Sequence, residues 1–171
     1  MARVLLLLVT FAALATWAGA QAPPAPLTAA EQAKLFKLDR ALLDNLINHS
    51  IDLADADEPL KRAEECRKTS LTLANYLERA AKDEQDPDRV AELADLLGEV
   101  VREGLAYNLE VGKQTYPPGS PGAAKLNALR ENAAKDLDAI KNTIPEGKIA
   151  DNAKVKDALA RLAALKARLG K

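Results

Sequence analysis

From Thr28 to the C-terminus, apolar residues recur at alternating steps of three and four, and the runs are cut at prolines. Steps of that size keep side chains on one face of a helix, whereas a half-buried strand alternates with a period of two. No segment shows the period-two pattern, so the chain is expected to be all-α. Its abundance of Ala, Leu, Lys, Glu and Arg, the strong helix formers, points the same way.

Five helical runs follow from the pattern. The first opens at Thr28-Ala-Ala-Glu31, a capping box in which each side chain satisfies a free backbone N–H of the first turn. Its stripe is Leu35, Leu38, Leu42, Leu46, His49 and Leu53, with Phe36, Leu43, Ile47 and Ile51 along a second edge. It ends near Ala54. The second run begins around Asp57 to Pro59, with an acid as cap and a proline in the first turn. Its stripe is Ala63, Cys66, Ser70, Leu73, Leu77 and Ala80.

Asp86-Pro87-Asp88 restarts the chain for a third run over 87–115, with the stripe Val90, Leu93, Leu97, Val100, Gly104, Tyr107 and Val111. At ~1.5 Å per residue this helix is roughly 40 Å long. Tyr116-Pro-Pro-Gly-Ser-Pro-Gly122 then makes an interhelical turn, and Ser120 before Pro121 caps the fourth run. That run buries Leu126, Leu129, Ala133, Leu137, Ile140 and Ile144 and stops at Pro145-Glu-Gly147; the fifth carries Val155, Leu159, Leu162, Leu165 and Leu169. No repeat of fixed period is present, which argues against a solenoid. Short connections favour antiparallel neighbours. The expected fold is an elongated up-and-down helical bundle of four long helices plus a C-terminal fifth helix, a single domain over residues 28–171.

Ahead of it stands MARVLLLLVTFAALATWAGAQAPPAP. Arg3 supplies a positive start, Val4–Ala15 an apolar run, and Ala18-Gly19-Ala20 a small-residue cleavage site, the three parts of a secretory signal peptide. The apolar run is shorter than the ~20 residues a spanning helix needs, and Pro23, Pro24 and Pro26 follow it. Residues 1–20 are therefore expected to be removed near Ala20, with 21–27 as a Pro-rich tail. The mature chain, without a transmembrane segment, would be periplasmic or secreted.

Several chemistries lack their residues. The chain has 24 Lys and Arg against 25 Asp and Glu, so the strongly basic footprint of a nucleic-acid binder is missing. It contains one Cys, one His and one Met. That rules out the Cys-x-x-Cys-His of attached haem and the four Cys or His ligands of a structural zinc site. Three positions before His49 stands Leu46, so the Glu-x-x-His pair of a di-iron bundle is absent. Neither a Gly-x-Ser-x-Gly elbow nor a Gly-x-x-x-x-Gly-Lys-Ser/Thr loop occurs. No catalytic residue, cofactor site or metal site is assigned.

Some features remain. Cys66 lies on the apolar stripe of the second run, where a free cysteine behaves as a small hydrophobe. The alternative is a disulfide-linked homodimer, which an odd cysteine in an exported protein raises. A Cys66–His49 nucleophile and base pair would sit inside a packed seam without substrate access. His49 is expected to be partly buried and hydrogen-bonded. Asn48-His49-Ser50 forms a glycosylation sequon inside a helix. Two acidic clusters, Asp52/Asp55/Asp57/Glu58 and Asp83/Glu84/Asp86/Asp88, flank helix ends, where acids oppose the dipole. The last run carries seven bases, Lys148, Lys154, Lys156, Arg161, Lys166, Arg168 and Lys171, against Asp151 and Asp157. It is expected to pack beside the acidic first run. A detached, anion-binding role is the alternative.

The expected function is non-enzymatic: an exported helical bundle that presents its surface to another protein. The alternative is a small-ligand or metal-ion-binding bundle using Asp52, Asp55, Asp57 and Glu58, or a pocket at Gly98 and Gly104.

Overall fold

A computed structural model describes residues 29–169, without the side chains of 29–39 and of Glu84. The expected signal peptide, the Pro-rich tail, the capping box at Thr28 and the side chains of Leu35, Phe36 and Leu38 lie outside the described residues. The chain divides into two compact units, Met1–Phe36 and Lys37–Lys171. The first is described only as the opening turns of a helix; among the described residues the hydrophobic core runs from Leu42 to Leu169, in the second.

Every described element is helical and the fold is an all-α bundle, as the periodicity predicts. Helix α1 spans Ala29–Ala54 and α2 spans Pro59–Arg79. Pro59 occupies the first turn of α2, but Glu58 at the cap position makes no side-chain cap bond, contrary to the expected acid cap. A π-helical turn, Ala80–Glu84, extends α2. Gln85 then takes the left-handed conformation (φ 51°) and ends it. All six residues of the expected α2 stripe, Ala63 to Ala80, are buried.

Helix α3, Pro87–Glu99, starts as predicted: Asp86 Oδ1 accepts from the backbone N–H of Asp88 and Arg89 at 3.0 and 3.1 Å. The chain then widens into a π-helical segment, Val100–Ala106, and returns to α-helix as α4, Tyr107–Thr115. This segment corrects the expected stripe. Beyond Leu97 the buried residues are Val101, Leu105, Asn108, Leu109 and Gly112, while Tyr107 stands 64% exposed. A π turn holds more than the ~3.6 residues of an α turn, so steps of four stay on one face instead of drifting round the helix.

Helix α5, Pro121–Thr143, is capped by Ser120 Oγ, which accepts from the Ala123 N–H at 3.1 Å. Its whole expected stripe, Leu126 to Ile144, is buried. A single turn, α6 (Lys148–Asp151), precedes α7, Ala153–Leu169. Asn152 Oδ1 caps α7 by accepting from Lys154 and Val155 N–H, a stop and restart that the periodicity does not announce.

Helix α7 packs on α3 and α5, and α2 packs on α3, α4 and α5. The expected pairing of the basic C-terminal run with the first run is therefore corrected. Lys154 reaches Asp88 (2.6 Å), Arg161 reaches Asp95 (2.7 Å) and Lys166 reaches Asp138 (2.5 Å). The acids that answer α7 sit on α3 and α5. Val155, Ala158, Leu162 and Leu169 of α7 are buried in the common core.

Candidate functional site

Helix α1 shows two opposite characters. Leu42 is buried, and Leu46 and Leu53 pack against the same core. Leu43, Ile47 and Ile51, expected as a second edge of that contact, are instead 48%, 57% and 55% exposed. Spaced by four, they form one apolar stripe about 12 Å long. Beside it on α1 stand the exposed Arg40 and Asp44, and the exposed acids Asp55, Asp57 and Glu58 follow at the end of the helix.

On the inner side of α1, His49 is half-buried as expected, and its Nε2 lies 3.0 Å from Thr72 Oγ1 of α2. Its Nδ1 is buried and has no hydrogen-bond partner. One turn further along α1 comes Asp52, and across from it on α2 comes Glu65. Ligand atoms of His49, Asp52 and Glu65 all lie within 4.8 Å of one another. Glu65 Oε1 accepts from Lys68 Nζ at 2.7 Å, which leaves Oε2 buried and unpartnered. The ammonium of Lys68 is held above its ordinary range, first by that hydrogen bond and further by the charges of Glu65, Asp52 and Glu64.

Of the acidic quartet named as the alternative metal set, only Asp52 enters this group; Asp55, Asp57 and Glu58 do not join it. Within the second acidic cluster, Asp86 serves as a cap and Asp88 pairs with Lys154. Glu65 is not singled out by sequence reasoning. The signal that could have found it is His49-x-x-Asp52, two donors one helical turn apart, facing a neighbouring helix rich in Glu.

Cys66 is buried, as expected for a packing residue. A Cβ on Gly104 would lie 2.7 Å from its sulfur, so the thiol fills the space left by that glycine. Burial pushes the thiol above its ordinary value of 9.0, partly offset by the charge of Arg62. Glu65 adds to the rise. A protonated thiol against a helix backbone is a poor nucleophile. A Cβ on Gly98 would meet Leu162 and Leu165 only at ordinary contact distance, so a small side chain would fit there. Only Gly104 is held to glycine by its neighbour. An open recess of about 280 Å³ lies between the widened segment and α7, lined by Val101, Arg102, Ala106, Leu165 and Leu169. A recess between Arg67, Ser70, Leu105 and Leu137 offers about 10 Å³, at most room for one water.

Asn48, the acceptor of the sequon, is exposed but lies within α1, in its last third. Among the described residues no helix is long and apolar enough to cross a membrane.

No protein-family model, no curated protein and no solved structure matches this chain.

Proposed function

We propose that this protein is an exported, non-enzymatic interaction module whose binding face is the outer side of α1. The observation that carries the reading is the exposed stripe of Leu43, Ile47 and Ile51. Large apolar side chains at i, i+4 and i+8 are what an amphipathic partner helix inserts between. A contiguous apolar stripe with a polar rim is the usual mark of a docking surface.

The rim selects the occupant. With Asp44 beside it and Asp55, Asp57 and Glu58 at the end of the helix, the face repels a second copy of itself and an anionic lipid surface. It favours a helix of another protein with an apolar stripe flanked by Lys and Arg, because opposite rims steer association and suppress wrong partners. Export rests on the signal-like N-terminal sequence, and the buried, protonated Cys66 supports a role without thiol chemistry.

The test is a photo-crosslinking residue at Ile47, with the exposed Glu131 of α5 as control position, in the native host. The expected product forms only from position 47 and maps to an apolar, base-flanked helical segment. It disappears when Leu43 and Ile51 become Asp. A product made of two copies of this chain, equal products from both positions, or no product would overturn the reading.

A further inference from the structure

We infer that His49, Asp52 and Glu65 form a binding site for one divalent transition-metal ion, of which Zn²⁺ is the best match. The site is independent of the docking face.

The donor set is one imidazole nitrogen and two carboxylates, drawn from α1 and α2, which converge within 4.8 Å. Metal–ligand bonds of about 2.0–2.2 Å place ligands on opposite sides of one ion roughly 4 Å apart. Closing the site therefore needs only small rotamer changes, and Asp52 is exposed and free to make them. Mixed nitrogen and oxygen ligands suit zinc and its neighbours, whereas calcium and magnesium prefer oxygen alone.

Hydrogen bonding points to the same ion independently. Among the described residues, the buried side-chain atoms without any hydrogen-bond partner are two: His49 Nδ1 and Glu65 Oε2. Both belong to this one group. Buried polar atoms are almost always paired, because an unpaired one loses its hydration with nothing in return. Two orphans side by side are explained together by one cation that accepts a lone pair from each. A shared proton explains them less well: it would draw Nδ1 into a hydrogen bond with a carboxylate, and no such bond forms.

The surroundings fit the same use. Thr72 accepts from Nε2–H in the tautomer that leaves Nδ1 its lone pair, the outer-shell arrangement that orients a ligating histidine. Lys68 holds Glu65 by Oε1 and so turns Oε2 inward. Three protein ligands leave at least one coordination position for water or a partner's side chain. Because the ligands come from two helices, the ion would fasten α1 to α2.

The experiment uses the protein purified without an affinity tag and stripped with a chelator. Zn²⁺ is titrated by calorimetry, and Co²⁺ is used as a spectroscopic stand-in. The expected result is one ion per chain, visible absorption of a Co²⁺ complex with nitrogen and oxygen ligands, and a Tm raised by roughly 5–10 °C at a hundredfold excess over Kd. Glu65→Gln and Asp52→Asn should each weaken binding at least tenfold, and Asn48→Gln should leave it unchanged. His49→Gln should abolish the Co²⁺ spectrum; because both carboxylate variants change only one functional group, the test stands even if that variant folds poorly. No saturable binding at one ion per chain, or binding that survives both Glu65→Gln and Asp52→Asn, would sink the inference.

Discussion

The sulfur of Cys66 stands 2.7 Å from where a side chain on Gly104 would begin. The two residues are one packing unit: α2 approaches the π-helical segment closely because one side offers no side chain and the other offers a small one. Gly104→Ala should therefore cost about 1–3 kcal/mol through overpacking, despite alanine's better helix propensity. In a Cys66→Ala background the same substitution should be close to neutral. A double-mutant cycle in urea measures the coupling directly. Equal costs of Gly104→Ala in the two backgrounds would refute the pairing.

The buried thiol also predicts a direction for pH. Burial raises the folded-state value of Cys66 above the 9.0 of an unfolded thiol. Above pH 9 the unfolded chain loses this proton while the folded chain keeps it, so stability must fall as pH rises. Cys66→Ala should flatten that part of the alkaline stability curve. Below pH 8 native Cys66 should react with a thiol reagent only as fast as the fold opens, and reductant should leave the mass of the native protein unchanged.

Helix α1 should respond oppositely on its two sides. Leu42→Ala removes a buried side chain and should cost about 2–5 kcal/mol. Ile47→Asp, on the exposed stripe, should shift stability by no more than about 0.5 kcal/mol while abolishing the position-specific crosslink. Denaturant midpoints and crosslinking yields separate the two effects.

Lys68 competes for the same carboxylate as the inferred ion. Lys68→Gln removes a positive charge beside Glu65, so zinc affinity should rise several-fold, and more at low salt than at high salt. Calorimetry at two ionic strengths checks this. A weaker site in Lys68→Gln would show that the lysine's role in orienting Glu65 outweighs its charge.

The charges of α7 should matter less than its leucines. Arg161 and Asp95 are each half or more exposed, and such a pair is worth about 0.2–1 kcal/mol, so Arg161→Gln should be mild. Leu162→Ala, on the buried side of the same helix, should cost about 2–5 kcal/mol. Urea midpoints of the two variants give the comparison.

Much of this architecture is legible in the residue order. Asp86-Pro87 and Ser120-Pro121 are read correctly as helix starts because the cap and the proline act within a few residues of each other. The stripes of α2 and α5 are read correctly because both follow the α period for nearly their whole length. The register of the long third run is missed because the α period of mixed threes and fours is carried through it, whereas the steps of four from Leu93 to Leu109 follow the wider π segment. The exposed edge of α1 is misread because periodicity marks which residues are apolar, not whether a neighbour arrives to cover them. Glu65 is missed for a related reason. His49 and Asp52 are local to one helix, but their alignment with Glu65 depends on how α1 and α2 settle against each other.

The widened segment Val100–Ala106 gives this chain an unusual tolerance to changes in length. It holds a surplus residue within a helix whose flanks are both in register with the core. Losing one exposed position there, such as Arg102, would let the segment relax to an ordinary α-helix with Leu97 and Leu109 still facing inward. The same loss within Pro87–Glu99 would turn everything beyond it by about 100° and bring polar side chains to the interior. The long helix can therefore be shortened by one residue in its middle at far lower cost than near its start.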